Sequence, residues 1–336
     1  MGLAGYIAKR LVSTIPVIVG VTFITFFISR VVVPNPARAW AGFRATPEEV
    51  QALAARYHLN QPIYIQYFYY MEGLVTGNWG ISPTSGRPVL YDVTLYFPAT
   101  IELAVAAVII TVVLGIPLGV LASLHHNGKV DHSIRFLYLA GFSSPPFFVA
   151  LLMLFVFGYL FHIFPTQGEL SPFLTPPTHI TGMYVVDSLL TGNWTDFWDA
   201  LRHLVMPSVA LALTYFGIVT RLTRSSMLEV LQKDFVRASY AKGLSRNTVV
   251  YRHALRNAMI STVTILGILL GSLLSGAIVI ETIFSWPGIG YYATQSIENF
   301  DFPAIMGVTV LFTLSVVLAN LVADVVYALL DPRIRV

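Results

Sequence analysis

The constraint that most limits this chain is a set of six apolar runs, each about as long as a helix that crosses a bilayer. They occupy residues 11–33, 100–124, 134–164, 204–220, 259–284 and 303–330 of 336. A hydrocarbon core takes about 20 apolar residues in helical form. None of the runs alternates polar and apolar residues as the strands of a membrane barrel do. Only 11% of the residues are charged and 56% are hydrophobic, with a mean hydropathy of +0.71. That is too little charge to cover a soluble domain. The expectation is an all-α, polytopic membrane protein with about six transmembrane helices. The third run would be about 45 Å long as a single helix. It is interrupted by SSPP at 143–146, and two adjacent prolines remove backbone donors and should kink or split it. The first run has a basic flank like a signal peptide, but it is longer than a signal core and lacks a small-residue cleavage site. It is expected to stay as the first span.

Lysine and arginine set the orientation. With the N-terminus inside, fourteen of the 20 fall on the cytoplasmic side and six on the other, the sense of the positive-inside rule. Both termini are then expected in the cytoplasm. The chain divides into 1–33, the N-terminus and first helix; 34–98, an extracytoplasmic segment; 99–330, a membrane core that includes a cytoplasmic loop at 223–258; and 331–336, a cytoplasmic tail. A second outer stretch, 165–203, is rich in Pro, Gly and Thr and reads as an ordered loop. Within 34–98, the start signal TPEEVQ predicts a pair of short amphipathic helices. Tyr57, Tyr64, Tyr67, Phe68, Tyr69 and Tyr70 are expected to divide between a small outer core and the membrane interface.

The usual signatures of chemistry are missing. No cysteine is present, which excludes disulfides, thiolate metal sites and cysteine nucleophiles. No G-x-x-x-x-G-K-[ST] occurs to cradle nucleotide phosphates, and no H-E-x-x-H. GSLLSG at 271–276 lacks the spacing of a nucleophile elbow; Gly267 and Gly271 instead form a G-x-x-x-G that favours close helix packing. His125, His126, Asp131 and His132 in HHNGKVDH contain metal-ligating types, but a solvated turn is the favoured reading. Glu102 and Glu281 lie near outer helix ends and read as interfacial. Asp324, in the last span, needs a partner or a water-filled cavity; pairing with an arginine is favoured over a transport role. A net charge of +3 would point weakly to nucleic acid in a soluble protein, and no nucleic-acid partner is expected here.

One polar segment does not fit a plain membrane bundle. DFVRASYAKGLSRNTVVYRHALRNA, residues 234–258, carries Arg237, Lys242, Arg246, Arg252 and Arg256 against a single acid, Asp234. Phe235, Ala238 and Ala241 recur near helical spacing, and Met227, Val230 and Leu231 extend that face backward. Gly243 suits the left-handed end of a helix and Ser245 the cap of the next. The predicted object is a short helix, a sharp turn and a second helix returning to the membrane at Met259. Charge alone is equally met by a loop lying on anionic lipid headgroups; the small-residue face and fixed turn favour a docking element.

The same segment resembles the cytoplasmic coupling loop of ABC-importer permeases. The family pattern of Glu-Ala-Ala, three residues, Gly, about nine residues, then Ile-x-Leu-Pro falls here on Arg237, Ala238, Ser239, Gly243, His253, Leu255 and Arg256. The Glu, second Ala and Pro are replaced, in the manner of the dipeptide and oligopeptide branch, whose loops read like R-x-A-R-A-K-G-L and R-H-A-L-R-N-A. YIAKRLVSTIPVIVGVTFITF, LNQPIYIQYFYYMEGLVTGNWGIS, GRPV, PATIELA, IETIFSWPGIGYYATQSIENFDFPAIMG and ALLDPRIR are similar to successive parts of the same branch. Their order along nearly the whole chain makes the resemblance specific, most of all to the first (B-type) of the two membrane subunits.

The resemblance implies a type I ABC-importer permease fold that forms half of a translocation path with a second homologous permease subunit. It also implies two ABC ATPase subunits, which would bind ATP and magnesium, and an extracytoplasmic solute-binding protein. The chain itself is expected to bind no cofactor or metal and to catalyse nothing, in a multi-pass setting in the cell membrane. Arg237, Ala238, Ser239, Lys242, Gly243 and Leu244 would contact an ATPase, with Asp234, His253, Leu255, Arg256 and Asn257 supporting the loop. Trp286, Pro287, Gly288 and Gly290 are candidates for binding-protein docking, with a plain helix-stopping turn as the equal alternative. Short peptides are the expected cargo, with oligosaccharides or a nickel complex as alternatives and an autonomous secondary carrier as a remote one.

Overall fold

A computed structural model describes residues 3–32, 35–42 and 45–330. Among these the regular structure is helical, apart from one antiparallel bridge between Ile81 and Pro88. The helices are α1 (Leu3–Phe27, continued by a π turn, Ile28–Val32), α2 (Pro36–Ala41), α3 (Pro47–Arg56), α4 (Ile63–Thr76), α5 (Val89–Leu124), α6 (Lys129–Ser143) and α7 (Pro146–Met153, continued as π helix, Leu154–Leu160). They are followed by α8 (Tyr184–Thr191), α9 (Trp194–Leu231), α10 (Asp234–Ala241), a π stretch Thr248–Ala254 running into α11 (Leu255–Gly276), α12 (Ile278–Ile283), α13 (Ile289–Glu298) and α14 (Phe302–Leu330). Among the described residues, five helices are long and apolar enough to cross a membrane: Val12–Val31, Val89–Leu124, Trp194–Leu231, Thr248–Leu273 and Phe302–Val322. The pair α6 and α7, counted as one bent span, makes six.

Prolines show why one span breaks and others do not. Pro98 and Pro117 lie inside α5 and Pro207 inside α9, and both helices run on through them. A proline pushes the residue before it out of the α region. In SSPP this falls on two consecutive residues, Ser144 at φ −84°, ψ 129° and Pro145 at φ −58°, ψ 136°. Pro146 then starts α7 at the position where proline is best tolerated. The result is a bend of 102° between α6 and α7.

The expected spans sit where the helices do, but three of them change their bounds. α5 begins at Val89, inside the segment expected to be extracytoplasmic to 98. α9 is 38 residues long and extends beyond both ends of the expected 204–220. The span expected at 259–284 ends with α11 at Gly276, and α12 is a separate short helix. The ends of α9 outside 204–220 carry Asp, Arg, His and Glu side chains, which is why they did not register as part of an apolar run. The tail 331–336 and the side chain of Asp324 lie outside the described residues.

α5 and α9 form the central pair, running in the same direction. A Cβ at Gly119 would come within 2.8 Å of the Thr220 carbonyl oxygen, so the backbones approach through Gly115 and Gly119, a second G-x-x-x-G. Gly271 likewise faces Ala319 of α14, with a Cβ–Cβ separation of 2.7 Å if one were built. Around this pair, Leu103, Ala107, Leu204, Met206, Leu211, Leu273, Ile280, Phe284 and Trp286 make the main core. A second apolar cluster lies at the end where α9 meets α10. A third holds α13 and the start of α14 against the start of α5.

The segment 35–88 folds as expected in kind. Thr46 and Glu49 make a reciprocal capping box at the start of α3. Tyr57, Tyr67 and Tyr70 pack on Phe26, Trp40 and Met306, while Tyr64 and Phe68 stay exposed. The helix α2 was not foreseen; Asn35 caps it and Pro36 begins it.

Candidate functional site

α9 ends at Leu231, and after the extended residue Lys233 the chain turns into the eight-residue α10. One side chain of α10, Val236, is buried. It packs with Met227 and Val230 of α9, Val120 of α5, and Val249, Val250 and Ala254 of the returning strand of helix. The expected face is therefore corrected. Phe235, Ala238 and Ala241 do not continue the face of Met227 and Val230; they lie exposed on the uncovered side. The break at Lys233 rotates the register, so that the apolar face of α9 hands over to Val236.

The turn after α10 follows from Gly243, whose φ is +78°. The Leu244 amide donates to the Ser239 carbonyl at 3.4 Å and the Gly243 amide to the Tyr240 carbonyl at 2.9 Å, the closing pattern of a helix with a left-handed glycine. Ser245 Oγ then accepts from the Thr248 amide at 3.4 Å and shares a hydrogen bond with Thr248 Oγ1 at 2.9 Å. Arg237, Ala238, Lys242, Gly243 and Leu244 are all exposed, and Ser239 is half-buried with its hydroxyl bonded to the Phe235 carbonyl at 2.7 Å. Asp234 and Arg237 form an ion pair of 3.7 Å in open solvent, which contributes little. Of the supporting residues, Leu255 packs on the Val236 cluster and His253 is half-buried. Arg256 and Asn257 are exposed, with Asn257 Nδ2 donating to the His253 carbonyl at 2.8 Å.

A brace missed in the sequence steadies this end. Arg224, two turns before the end of α9, places Nε and Nη2 each 2.6 Å from the two carboxylate oxygens of Asp131. Asp131 is fully buried and also accepts from the Asn127 amide at 2.9 Å. His125, His126 and His132 are exposed while Asp131 turns inward, so the four do not converge. The partners are 93 residues apart, and nothing local marks them as a pair. Such a two-pronged contact is both strong and directional.

The opposite end is closed by packing. Trp286 is buried, with Nε1 donating to the Ala99 carbonyl at 2.9 Å. Gly288 and Gly290 are buried too: a Cβ on either would come within 2.5 Å of Glu281 or of the Ile278 backbone. Pro287 is half-buried, and of the two equal expectations for Trp286, Pro287, Gly288 and Gly290 this interior packing favours the helix-stopping turn over binding-protein docking. Glu281 is not interfacial either. It is buried and accepts from Thr100 Oγ1 (2.7 Å) and from the Gly290 (2.6 Å) and Tyr291 (3.0 Å) amides, fixing the first turn of α13. Glu102, also buried, accepts from the Val185 amide at 2.8 Å.

Two further carboxylates, Asp187 in the first turn of α8 and Glu169 in the loop before it, complete this region. Burial disfavours the charge of Asp187, yet the Thr181 hydroxyl and the Thr181, Ile180 and Gly182 amides, at 2.7–3.1 Å, hold its pKa below the usual value. Glu169 is the reverse case. Burial, then the charges of Glu102 and Glu281, push it well above 4.5, and its Oε1 has no hydrogen-bond partner. Among the described residues no group of three His, Asp or Glu is arranged to hold a metal ion. The exposed α10 offers contact and leverage, with no nucleophile and base set against each other.

Comparison with known proteins gives a consistent result. The family described as "Binding-protein-dependent transport system inner membrane component" matches residues 115–336, and its companion, "Binding-prot-dependent transport system membrane comp, N-term", matches residues 3–104. The chain is 42% identical over 326 residues to the probable D,D-dipeptide transport system permease protein DdpB of Escherichia coli K12, covering 97% of this chain and 96% of that one. It is 39% identical over 331 residues to the dipeptide transport system permease protein DppB of Alkalihalophilus pseudofirmus, covering 98% and 99%. It is 33% identical over 334 residues to the oligopeptide transport system permease protein AppB of Bacillus subtilis, covering 99% and 100%.

Proposed function

This chain belongs to the family of inner membrane components of binding-protein-dependent transport systems, and from that premise we propose that it forms half of the path by which an ATP-driven importer takes up short peptides. Peptide cargo is supported by the names of relatives similar over their full length. In this reading a second permease subunit completes the pore, two ATPase subunits supply the work, and an external binding protein delivers the solute. The excess of Lys and Arg around α10 supports a cytoplasmic position for it and for both termini.

The observation that carries the coupling role is α10 itself: a short helix held by one buried valine, with every other side chain but the half-buried Ser239 exposed, on a turn set by Gly243. Exposed Ala238 permits close approach by a partner, and Arg237 and Lys242 present charge to acids around a cleft. Val236 ties any displacement of α10 to α9 and α5, and the Asp131–Arg224 fork stiffens the same end. Closure of the ATPases on ATP would move this lever and shift the pore between its two states. Such a shift requires contacts that differ in free energy between those states.

Gly243→Val tests the assignment in a complex reconstituted into proteoliposomes. No neighbouring atom lies within 4 Å of a Cβ placed there, so the substitution acts through the left-handed backbone, which a β-branched residue resists. The expected outcome is normal insertion and assembly with uptake per ATP hydrolysed reduced at least tenfold. Unchanged uptake per ATP would reject the lever.

A further inference from the structure

A cavity of about 320 Å³ opens between the end of α1, helices α2–α4 and the start of α14. Arg30 enters it from the π turn that closes the first span, with Trp40, Gln66, Tyr70 and Met306 among the walls. The Nε and Nη1 of Arg30, the Nε1 of Trp40, the hydroxyl of Tyr70 and the Oε1 of Gln66 are all buried without a hydrogen-bond partner. Five of the eleven buried and unsatisfied side-chain atoms among the described residues thus belong to four residues that line this one cavity. Groups of this kind are normally paired in native proteins.

The imbalance has a sign. Arg30 is a permanent cation, and no described carboxylate makes an ion pair with it. Its guanidinium lies 4.0 Å from the centre of the Trp40 ring and 5.8 Å from that of Phe26, which orients the fork and partly offsets its burial but leaves its N–H groups unused. Trp40 and Tyr70 add two more donors. One acceptor, Gln66 Oε1, stands against them, and its amide nitrogen is already spent on the carbonyls of Leu59 and Gln61 at 3.1 and 2.9 Å. Glu72, on the cavity wall, is exposed. A cavity near 300 Å³ is at the small end of those that hold organic ligands, and a guanidinium fork matches carboxylate or phosphate oxygens in pairs.

We propose that this cavity binds an oxyanion, a phosphate or carboxylate group, on the guanidinium of Arg30 with Trp40 and Tyr70 as accessory donors. The position at the end of a membrane span admits two sources of the same chemistry: a phospholipid headgroup and a small soluble anion. The site is independent of α10 and stands whether or not the coupling role does.

The purified transporter complex, stripped of lipid in detergent, tests this with two probes. In one arm inorganic phosphate or acetate replaces chloride at constant ionic strength; in the other phosphatidylglycerol is compared with phosphatidylcholine. A ligand that binds the folded state raises the thermal midpoint in proportion to its occupancy. The wild type should be stabilised in at least one arm, and Arg30→Met should lose that response. Trp40→Phe keeps the ring under Arg30 and removes one donor to a charged group, so it should raise the half-saturating concentration about tenfold; it decides the matter should Arg30→Met fail to assemble. A response to phosphatidylglycerol alone identifies a headgroup, and a response to phosphate or acetate identifies a soluble anion. No response in either arm, or one that Trp40→Phe leaves unchanged, overturns the proposal.

Discussion

Glu169 shows how a single residue in this chain departs from what its sequence context signals. It lies in a polar loop, yet it is buried against Glu102, Glu281 and Tyr184, with one oxygen unbonded. Its folded-state pKa is raised, so between the ordinary value near 4.5 and the folded value the folded chain holds a proton that the unfolded chain has lost. Stability therefore falls as pH rises through that window and stays low above it. Glu169→Gln removes the proton and its linkage. Thermal midpoints of the complex measured from pH 4.5 upward should drop in the wild type relative to the variant; parallel curves would show that Glu169 is ionised at no cost. Charges such as Asp131 and Arg224 illustrate the same limit on sequence reading: their types are visible, but the pairing comes from α6 packing against α9.

At the scale of elements, the reading succeeded where the signal is local. The SSPP break, the helix start at TPEE and the Gly243 turn each rest on backbone preferences of a few residues, and each appears where it was expected. It failed where the polar or apolar character of an element is decided by distant partners. SWPGIG left a docking rim and a helix-stopping turn equally open, because its burial depends on Thr100, Ala99 and Glu281, and Glu281 itself was misread as interfacial for the same reason. The face of α10 was misassigned because a two-residue break shifts its register relative to α9. Since Trp286 is 1% exposed, Trp286→Ala should act on stability. Truncating a fully buried tryptophan costs about 3–5 kcal/mol, so chemical denaturation of the complex should show a large loss. An unaltered midpoint accompanied by weaker binding-protein association would restore the docking role.

For the whole molecule, the architecture gives one end to packing and the other to contact. Around Trp286 the helices are closed by buried turns and carboxylates. At the α10 end, a braced pair of long helices carries a short, uncovered helix into solvent. That asymmetry was legible in the sequence as a basic segment between apolar runs, although the brace and Val236 were not. It is the arrangement expected of a part driven from outside itself. The central claim, that α10 is held by a separate ATPase subunit, can be read directly because the chain has no native cysteine. Ala238→Cys, exposed on α10, would carry a short photoactivatable crosslinker in a reconstituted complex that still takes up solute. The account predicts an adduct with an ATPase subunit whose yield changes when ATP is added. Adducts with lipid alone, in a complex that continues to transport, would contradict it.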